Sequence, residues 1–213
     1  MSIVVRTLSD QTYEIVRRRI LTGDMPPGTA VRQDTIAAEL GVSKIPLREA
    51  LSRLEQDGLL SSYPNKGYVV RQASTEEASE VFALRLKLEP GAAAEAALKA
   101  GPEDHAHAEL ALATLEAELG KTHGDHVTCN RAFHMALVRP GGHVTGQLVE
   151  RLQILSERYV RIHLEPLGRD ERASREHRAI LDAWKAGDAT RVEALLAEHI
   201  EGTLADLRQQ LAS

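Results

Sequence analysis

The 213-residue sequence contains a single cysteine, few aromatic residues and no long apolar run. Cys129 cannot form an intramolecular disulfide, which is typical of a reducing compartment, and we interpret it as a small buried apolar side chain. The absence of a run of about 18 apolar residues excludes an ordinary transmembrane helix. Because the first residues also lack the apolar core and cleavage site of a signal peptide, we expect a soluble cytoplasmic protein without a membrane partner.

Common sequence motifs of enzymes are missing as well. The chain has no glycine-rich phosphate loop, no Gly-x-Ser-x-Gly motif and no Cys-x-x-Cys pair. Aromatic residues amount to 3% of the sequence, which leaves little material for stacking on nucleic-acid bases. These absences argue against an enzyme and against a protein that binds single strands by stacking.

The charged residues divide the chain into two parts. The net charge is -5 at pH 7, but residues 1–73 hold 10 Lys and Arg against 8 Asp and Glu, whereas the rest holds 16 against 23. The first part mixes helical periodicity with Gly and Pro, and the second reads as helix almost throughout. We therefore predict two domains, residues 1–73 and 74–213, with Ser74 or Thr75 as the N-cap that opens the second.

The first domain is predicted to contain three helices followed by a hairpin. A first helix, capped by Ser9 or Asp10, ends near Gly23, and a short second helix covers about residues 34–40. A tight glycine-containing turn joins it to a third helix, in the spacing of a helix-turn-helix. The segment GLLSSYPNKGYVV then predicts two short strands around a Pro-Asn-Lys-Gly turn. This order of elements indicates a winged helix-turn-helix.

The third helix has one apolar and one polar face. The apolar side chains that share the inner arc are Leu47, Ala50, Leu51 and Leu54. The outer side carries Lys44, Ile45, Arg48, Glu49 and Ser52. Lys44 and Arg48 lie at the end that enters the major groove in helix-turn-helix proteins, where they can donate to guanine O6 and N7. Lys66, at the hairpin tip, can contact a phosphate or the minor groove, so we interpret double-stranded DNA as the partner.

The segment ILTGDMPPGTAVRQDTIAAELGVSKIPLREALSRLEQDGLLSSYPNKGYVV resembles the winged helix-turn-helix of GntR-type bacterial transcription regulators. The resemblance implies binding to an imperfectly palindromic operator as a dimer, with Lys44 and Arg48 reading bases and Gly67 letting the wing backbone approach DNA. Lys44 and Ile45 stand where the family usually has Arg and Thr. Lysine lacks the bidentate geometry of arginine, and Ile45 can offer apolar contact to a thymine methyl group.

The second domain is predicted to be an all-helical bundle, so that the protein is mainly α. Six helix-length segments are separated by Gly-containing or Pro-Gly stretches, and the first is expected to bend at Pro90-Gly91. The predicted helices are Glu76–Leu98, Glu103–Leu119, Asp125–Val138, Val144–Leu164, Glu171–Ala186 and Ala189–Leu211.

Three histidines of this domain fall in the middle of predicted helices. Asn130 and His134 are four residues apart and share one helical face, while His177 and His199 belong to two further helices. Converging imidazoles could bind a metal ion, but spacing alone does not show that three helices meet, and single helical histidines are more often surface residues. The histidines that we expect at the surface are His105, His107, His123, His126, His143 and His163.

The segments RLKLEPGAAAEAA, NRAFHMAL and EHRAILDAWKAGDATRVEALLAEHI resemble the effector domain of FadR-type GntR regulators. The resemblance implies a metal site at Asn130, His134, His177 and His199, with Asn130 where the family usually has Asp. It also implies that Arg85 faces the effector cavity, although a solvated helical arginine is an equal alternative. The ion expected for three imidazoles is Zn or Ni, with coordination positions left open for a small carboxylate effector.

We therefore predict a dimeric transcription regulator, a repressor rather than an enzyme, whose operator binding responds to a carboxylate effector in a metal-containing domain. Two alternatives remain at this stage. A metal-dependent enzyme could use the histidines to activate water, yet no carboxylate is evidently paired with them as a base. A pure interaction module would only dimerise through the helical part.

Overall fold

The computed structural model describes residues 6–119, 121, 125–164 and 169–211 and divides into two compact units, residues 1–72 and 73–213. The predicted fold class is confirmed, because helices dominate and one antiparallel pair of strands forms the wing. The elements are α1 (Leu8–Leu21), α2 (Gln33–Leu40), α3 (Lys44–Gln56), β1 (Leu60–Tyr63), β2 (Gly67–Val70), α4 (Thr75–Ala97), α5 (Pro102–Glu118), α6 (His126–Val138), a 3-10 turn (Arg139–Gly141), α7 (His143–Leu164), α8 (Arg169–Lys185) and α9 (Ala189–Leu211). Over the described residues, none of these helices combines the length and apolarity that spanning a membrane requires.

Helix α1 begins two residues earlier than the sequence suggested. Thr7 is its N-cap, and its hydroxyl accepts from the Asp10 backbone N–H at 3.1 Å, while the Asp10 carboxylate accepts from the Thr7 N–H at 3.0 Å. This reciprocal pair satisfies two helix-end donors at once, which explains why Thr7 outcompetes Ser9 as the cap. Tyr13 and Val16 are buried along the inner face of the helix.

Helices α2 and α3 meet at a left-handed glycine. Gly41 has φ +64°, a conformation that costs a residue with a Cβ atom, and the following Val42 N–H donates to the Ala37 carbonyl at 3.0 Å. Ser43 occupies the N-cap position of α3 as predicted, although its side chain forms no capping hydrogen bond among the described residues. The predicted inner arc of α3, Leu47, Ala50, Leu51 and Leu54, is 0% exposed throughout.

The wing is a two-stranded antiparallel hairpin. Leu60 pairs with Val70 and Tyr63 with Gly67, so the strands begin within one residue of Leu59 and Tyr68, where the sequence predicts their starts. Asn65 and Gly67 both have positive φ angles, 64° and 72°, which the tight turn between the strands requires.

The second unit is built from α4 to α9, and the buried side of α4 is rich in alanine. Ser74 caps α4 by accepting from the Glu77 N–H at 3.2 Å, and the helix continues without interruption through Pro90. The buried side chains of the helix after Pro90 are the alanines Ala92, Ala93, Ala94, Ala96 and Ala97. Such small side chains let a neighbouring helix approach closely. Cys129 packs against the core, and burial raises the pKa of its thiol.

Candidate functional site

The predicted DNA-reading residues lie on the outer face of α3. The side chain of Lys44 is 62% exposed, Ile45 is 71% exposed, and Arg48 is also exposed. Ser52, one turn further along, is half-buried. An isoleucine exposed to this degree gains nothing from folding, so its apolar side chain is available to a partner.

Lys44 is held by a carboxylate that the sequence reasoning missed. Its Nζ lies 2.7 Å from Asp34 Oδ1 on α2, and this contact lowers the pKa of Asp34. An acidic residue near the start of a helix is unremarkable in a sequence, because it also suits the helix dipole. On contact with DNA, Lys44 must therefore exchange or share an existing partner.

The wing is fastened to the end of α3. Glu55 accepts from the Ser62 N–H at 3.0 Å and from the Ser62 hydroxyl at 2.5 Å. Lys66 is exposed at the hairpin turn, and Gly67 follows it with φ +72°. The structure thus places the wing residues on a hairpin that is anchored to the recognition helix.

In the second unit, three of the four predicted metal ligands come together. His134 on α6, His177 on α8 and His199 on α9 are buried, and one ring nitrogen of each lies within 4.8 Å of the other two. The ring centroids are 4.6 to 5.5 Å apart. Three helices from distant parts of the sequence therefore converge on one point.

Two carboxylates orient these rings. Glu89 lies 2.6 Å from His134 Nδ1, and Glu176 Oε2 lies 2.6 Å from His199 Nδ1. Since a carboxylate can only accept, each Nδ1 carries the hydrogen in the neutral ring, which leaves each Nε2 with a lone pair that can accept a hydrogen bond or bind a metal ion. Neither carboxylate was recognised from the sequence as a partner of the histidines. In the sequence, Glu89 lies four residues after Arg85, and Glu176 directly precedes His177.

The remaining ring nitrogens form few hydrogen bonds. Within the described residues, the buried Nε2 of His134 and Nδ1 of His177 have no hydrogen-bond partner. The Nε2 atoms of His177 and His199 are 3.2 Å apart. This separation fits two ligands of one ion with metal–nitrogen bonds of about 2.0–2.1 Å.

The protonation states also suit a cation. Burial lowers the pKa of both His134 and His177, which favours the neutral form of the rings. Burial alone would raise the pKa of Glu89, but the nearby Arg85 and His134 together hold it well below its ordinary value. The site thus combines neutral imidazoles with an ionised carboxylate behind one of them.

Asn130 and Arg85 line the same small cavity as the histidines. Asn130 is buried, one turn before His134 on α6. Arg85 is only 2% exposed, so the alternative of a solvated arginine is wrong. Its Nε donates to Glu89 Oε2 at 2.9 Å, and a second nitrogen reaches the Ser156 hydroxyl at 3.4 Å.

His163 corrects the expectation of a surface residue. It is 3% exposed, lines the cavity, and burial lowers its pKa to about 4. The reason is tertiary, because the end of α7 packs against α8 and α9, where Asp206 lies 3.5 Å from its Nδ1. The other histidines expected at the surface comprise the exposed His107 and His143, the half-buried His105 and His126, and His123, which lies outside the described residues.

An exposed third helix with a wing, followed by a helical domain, is typical of a DNA-binding transcription regulator. Residues 8–70 match the gntR family of bacterial regulatory proteins, and residues 80–202 match the FCD domain. The chain therefore belongs to the GntR family and carries an FCD domain, which confirms the resemblance seen in the sequence. Because the family consists of transcription regulators, the alternative of an enzyme is excluded.

Relatives along the whole chain have the same class of function. The chain is 30% identical over 208 residues to the probable D-xylose utilization operon transcriptional repressor of Paenarthrobacter nicotinovorans, covering 93% of this chain and 88% of the relative. It is 28% identical to the transcriptional repressor GlaR of Escherichia coli (strain K12), over 94% of this chain and 96% of GlaR. The solved structure of E. coli McbR/YncC superposes with a TM-score of 0.81 at 25% identity, covering 97% and 100% of the two chains.

Proposed function

We propose that this regulator is a dimeric repressor whose operator binding is controlled by a metal ion and a small carboxylate effector in the FCD domain. The DNA-reading residues of the proposal are Lys44, Ile45, Arg48, Ser52, Lys66 and Gly67. The proposed metal ligands are Asn130, His134, His177 and His199. The observation that carries the metal and effector part is the buried convergence of three histidines, two of which have a ring nitrogen without a hydrogen-bond partner among the described residues. As a regulator that binds DNA, the protein acts in the bacterial cytoplasm.

The DNA part of the proposal is supported by the family and by the exposed face of α3. Arg48 can donate two parallel hydrogen bonds to guanine, Lys44 can donate to one acceptor at a time, and Ile45 can contact a thymine methyl group. Lys66 and the backbone at Gly67 would contact the adjacent phosphates or minor groove. A dimer reads two half-sites, which explains why an imperfect palindrome is expected.

The residues of the cavity fit a divalent transition metal. Neutral imidazoles suit Zn and Ni, and the two carboxylates behind His134 and His199 fix the ring tautomer that such an ion needs. A bound ion would supply a centre of positive charge with open positions for exogenous oxygen atoms. Asn130 would add a neutral oxygen ligand that binds the ion weakly. Because all four ligands would be neutral, they would leave the charge of the ion uncompensated.

A carboxylate effector fits the same cavity for electrostatic reasons. Arg85 and an ion held by neutral ligands would both attract an anion, and Arg85 can offer donors that Glu89 does not use. Binding would change DNA affinity only if the effector prefers one arrangement of the two winged helices over the other.

The test combines metal analysis with DNA binding. Protein purified without a histidine tag is analysed for bound metals, and its operator affinity is titrated with candidate carboxylates before and after chelation. We expect His134→Ala to lose the metal and the effector response, whereas His107→Ala, at an exposed position, keeps both. Absence of metal after reconstitution with zinc or nickel, or a response unaffected by chelation, would refute the proposal. Salt-dependent binding to a defined palindrome separately excludes a mere dimerisation module.

A further inference from the structure

Glu89 is the most heavily hydrogen-bonded side chain around the cavity. It is 0% exposed, and its Oε1 lies 2.6 Å from His134 Nδ1 and accepts from Gln153 Nε2 at 2.7 Å. The same carboxylate accepts from Arg85 Nε at 2.9 Å and from a terminal Arg85 nitrogen at 3.3 Å. One buried carboxylate therefore joins α4, α6 and α7 and touches both a proposed metal ligand and the proposed effector anchor.

The four hydrogen bonds of Glu89 differ in length. Oε1 carries three of them, and the bond from the terminal nitrogen of Arg85 is the longest at 3.3 Å. When several donors share one oxygen, strengthening one of them weakens the others, and the longest bond is the first to be lost. His134 and Arg85 therefore compete for the same acceptor atom.

Glu176 provides a natural comparison. It contacts His199 Nδ1 at the same distance, 2.6 Å, but its side chain is 37% exposed and its cationic neighbour is Arg172, itself 39% exposed. Both glutamates thus orient a histidine of the cluster. Of the two glutamates, Glu89 also forms an ion pair with Arg85, which lines the cavity.

We propose that Glu89 is a positioning residue that couples metal binding at His134 to anion binding at Arg85. The inference rests on the proposed metal and effector site. With its Nε2 engaged by a cation, His134 becomes a stronger donor through Nδ1 and draws Oε1 away from Arg85. The terminal nitrogen of Arg85 is then released toward an exogenous carboxylate. The coupling is reciprocal. When a carboxylate binds Arg85, Glu89 Oε1 loses its contact with Arg85 and accepts more strongly from His134, which strengthens metal binding.

The experiment uses zinc as the probe and the Arg85 Nε–H signal of the full-length, isotope-labelled protein as the readout. Zinc is titrated into metal-free wild type, Glu89→Gln and Glu176→Gln. We expect both variants to bind zinc about 10- to 100-fold more weakly, because each loses a carboxylate behind a ligand. At saturating zinc, the Arg85 signal should move in wild type and in Glu176→Gln, and should move far less in Glu89→Gln.

A second variant separates coupling from folding. Glu89→Gln leaves the buried Arg85 without its counter-charge and can fail to fold, whereas Glu89→Asp keeps the charge beside Arg85 and shortens the reach to His134. We expect Glu89→Asp to fold, to bind zinc weakly and to lose the zinc-dependent movement of the Arg85 signal. Zinc binding to wild type without any movement, or an equal movement in the Glu89 variants, overturns the coupling alone. Failure of wild type to bind zinc overturns the coupling together with the proposed metal site.

Discussion

At the scale of single residues, Asn130 is the position where this chain differs from the ligand set that its family resemblance implies. An aspartate there would cancel one charge of a bound divalent ion, whereas Asn130 leaves the charge whole. Within about 4 Å, a carboxylate attracts a cation far more strongly than an amide oxygen does, particularly in a buried site. The asparagine should thus weaken resting metal binding and strengthen the attraction for an anionic effector.

We therefore predict that Asn130→Asp raises zinc affinity about tenfold, equivalent to about 1.4 kcal/mol, and lowers the affinity for a carboxylate effector. Competition titration with a zinc chelator measures the first change, and operator-release titration measures the second. Gln147→Glu, at an exposed position of α7, adds the same charge and should alter neither. Unchanged zinc affinity in Asn130→Asp would show that residue 130 does not face the ion.

The second prediction at this scale concerns Arg48. Its exposed guanidinium can form a bidentate contact with guanine, so Arg48→Ala should lose about 1–3 kcal/mol of specific operator binding while the fold survives. Lys44→Ala should cost less, because Lys44 gives up its contact with Asp34 in order to bind DNA.

Gel-shift titrations on operator and random DNA distinguish a base contact from nonspecific attraction to phosphates. Arg175→Ala removes the same charge from an exposed position of α8 and serves as the control. If Arg48→Ala retains the wild-type ratio of operator to random affinity, Arg48 does not read a base.

At the scale of secondary-structure elements, α4 and α7 each expose two large apolar side chains. Leu84 and Leu88 on α4 are 41% and 37% exposed, and Val144 and Leu148 on α7 are 68% and 54% exposed. The two helices pack against each other, as the Arg85–Ser156 and Glu89–Gln153 contacts show. We therefore take the exposed apolar side chains of these two neighbouring helices as the candidate dimer contact.

We predict that Leu148→Lys shifts the proposed dimer toward monomer, because a charge would have to be buried in the candidate dimer contact. Sedimentation velocity measures the change. Leu110→Lys is the matched control, since Leu110 is 66% exposed on α5. If the two variants and wild type sediment equally, the dimer contact lies away from the N-terminal end of α7.

Most elements could be predicted from the sequence because their ends carry local signals. The predicted bounds of α9, Ala189–Leu211, agree with the structure, and Ser74 caps α4 as expected. The start of α1 was misjudged because Thr7, Ser9 and Asp10 can all act as caps, and the reciprocal contact of Thr7 with Asp10 decides among them.

The histidine cluster was only partly predictable. The i, i+4 spacing places Asn130 and His134 on one face, but their meeting with His177 and His199 depends on how α6, α8 and α9 pack. Glu89 lies 45 residues from His134 in the sequence, so no local pattern reveals their contact. Burial of His163 likewise follows from packing at the end of α7, which periodicity does not encode.

At the scale of the whole molecule, the charge division follows the division into two units. Residues 1–73 carry a net charge of +2 and residues 74–213 a net charge of -7. Because phosphates attract the first part and repel the second, we expect the FCD domain to contribute to DNA binding by pairing two winged helices rather than by contacting the duplex.

We predict that a fragment of residues 73–213 dimerises and has no measurable DNA affinity, while a fragment of residues 1–72 binds the operator about 10²- to 10⁴-fold more weakly than the full chain. The loss in the short fragment reflects two half-sites bound independently instead of by linked winged helices. Each unit is compact by itself, so both fragments should fold. Sedimentation and gel-shift titration test the two statements separately. A monomeric 73–213 fragment would move the dimer contact to the winged helix, and a 1–72 fragment with full operator affinity would mean that the FCD domain does not pair the two half-site readers.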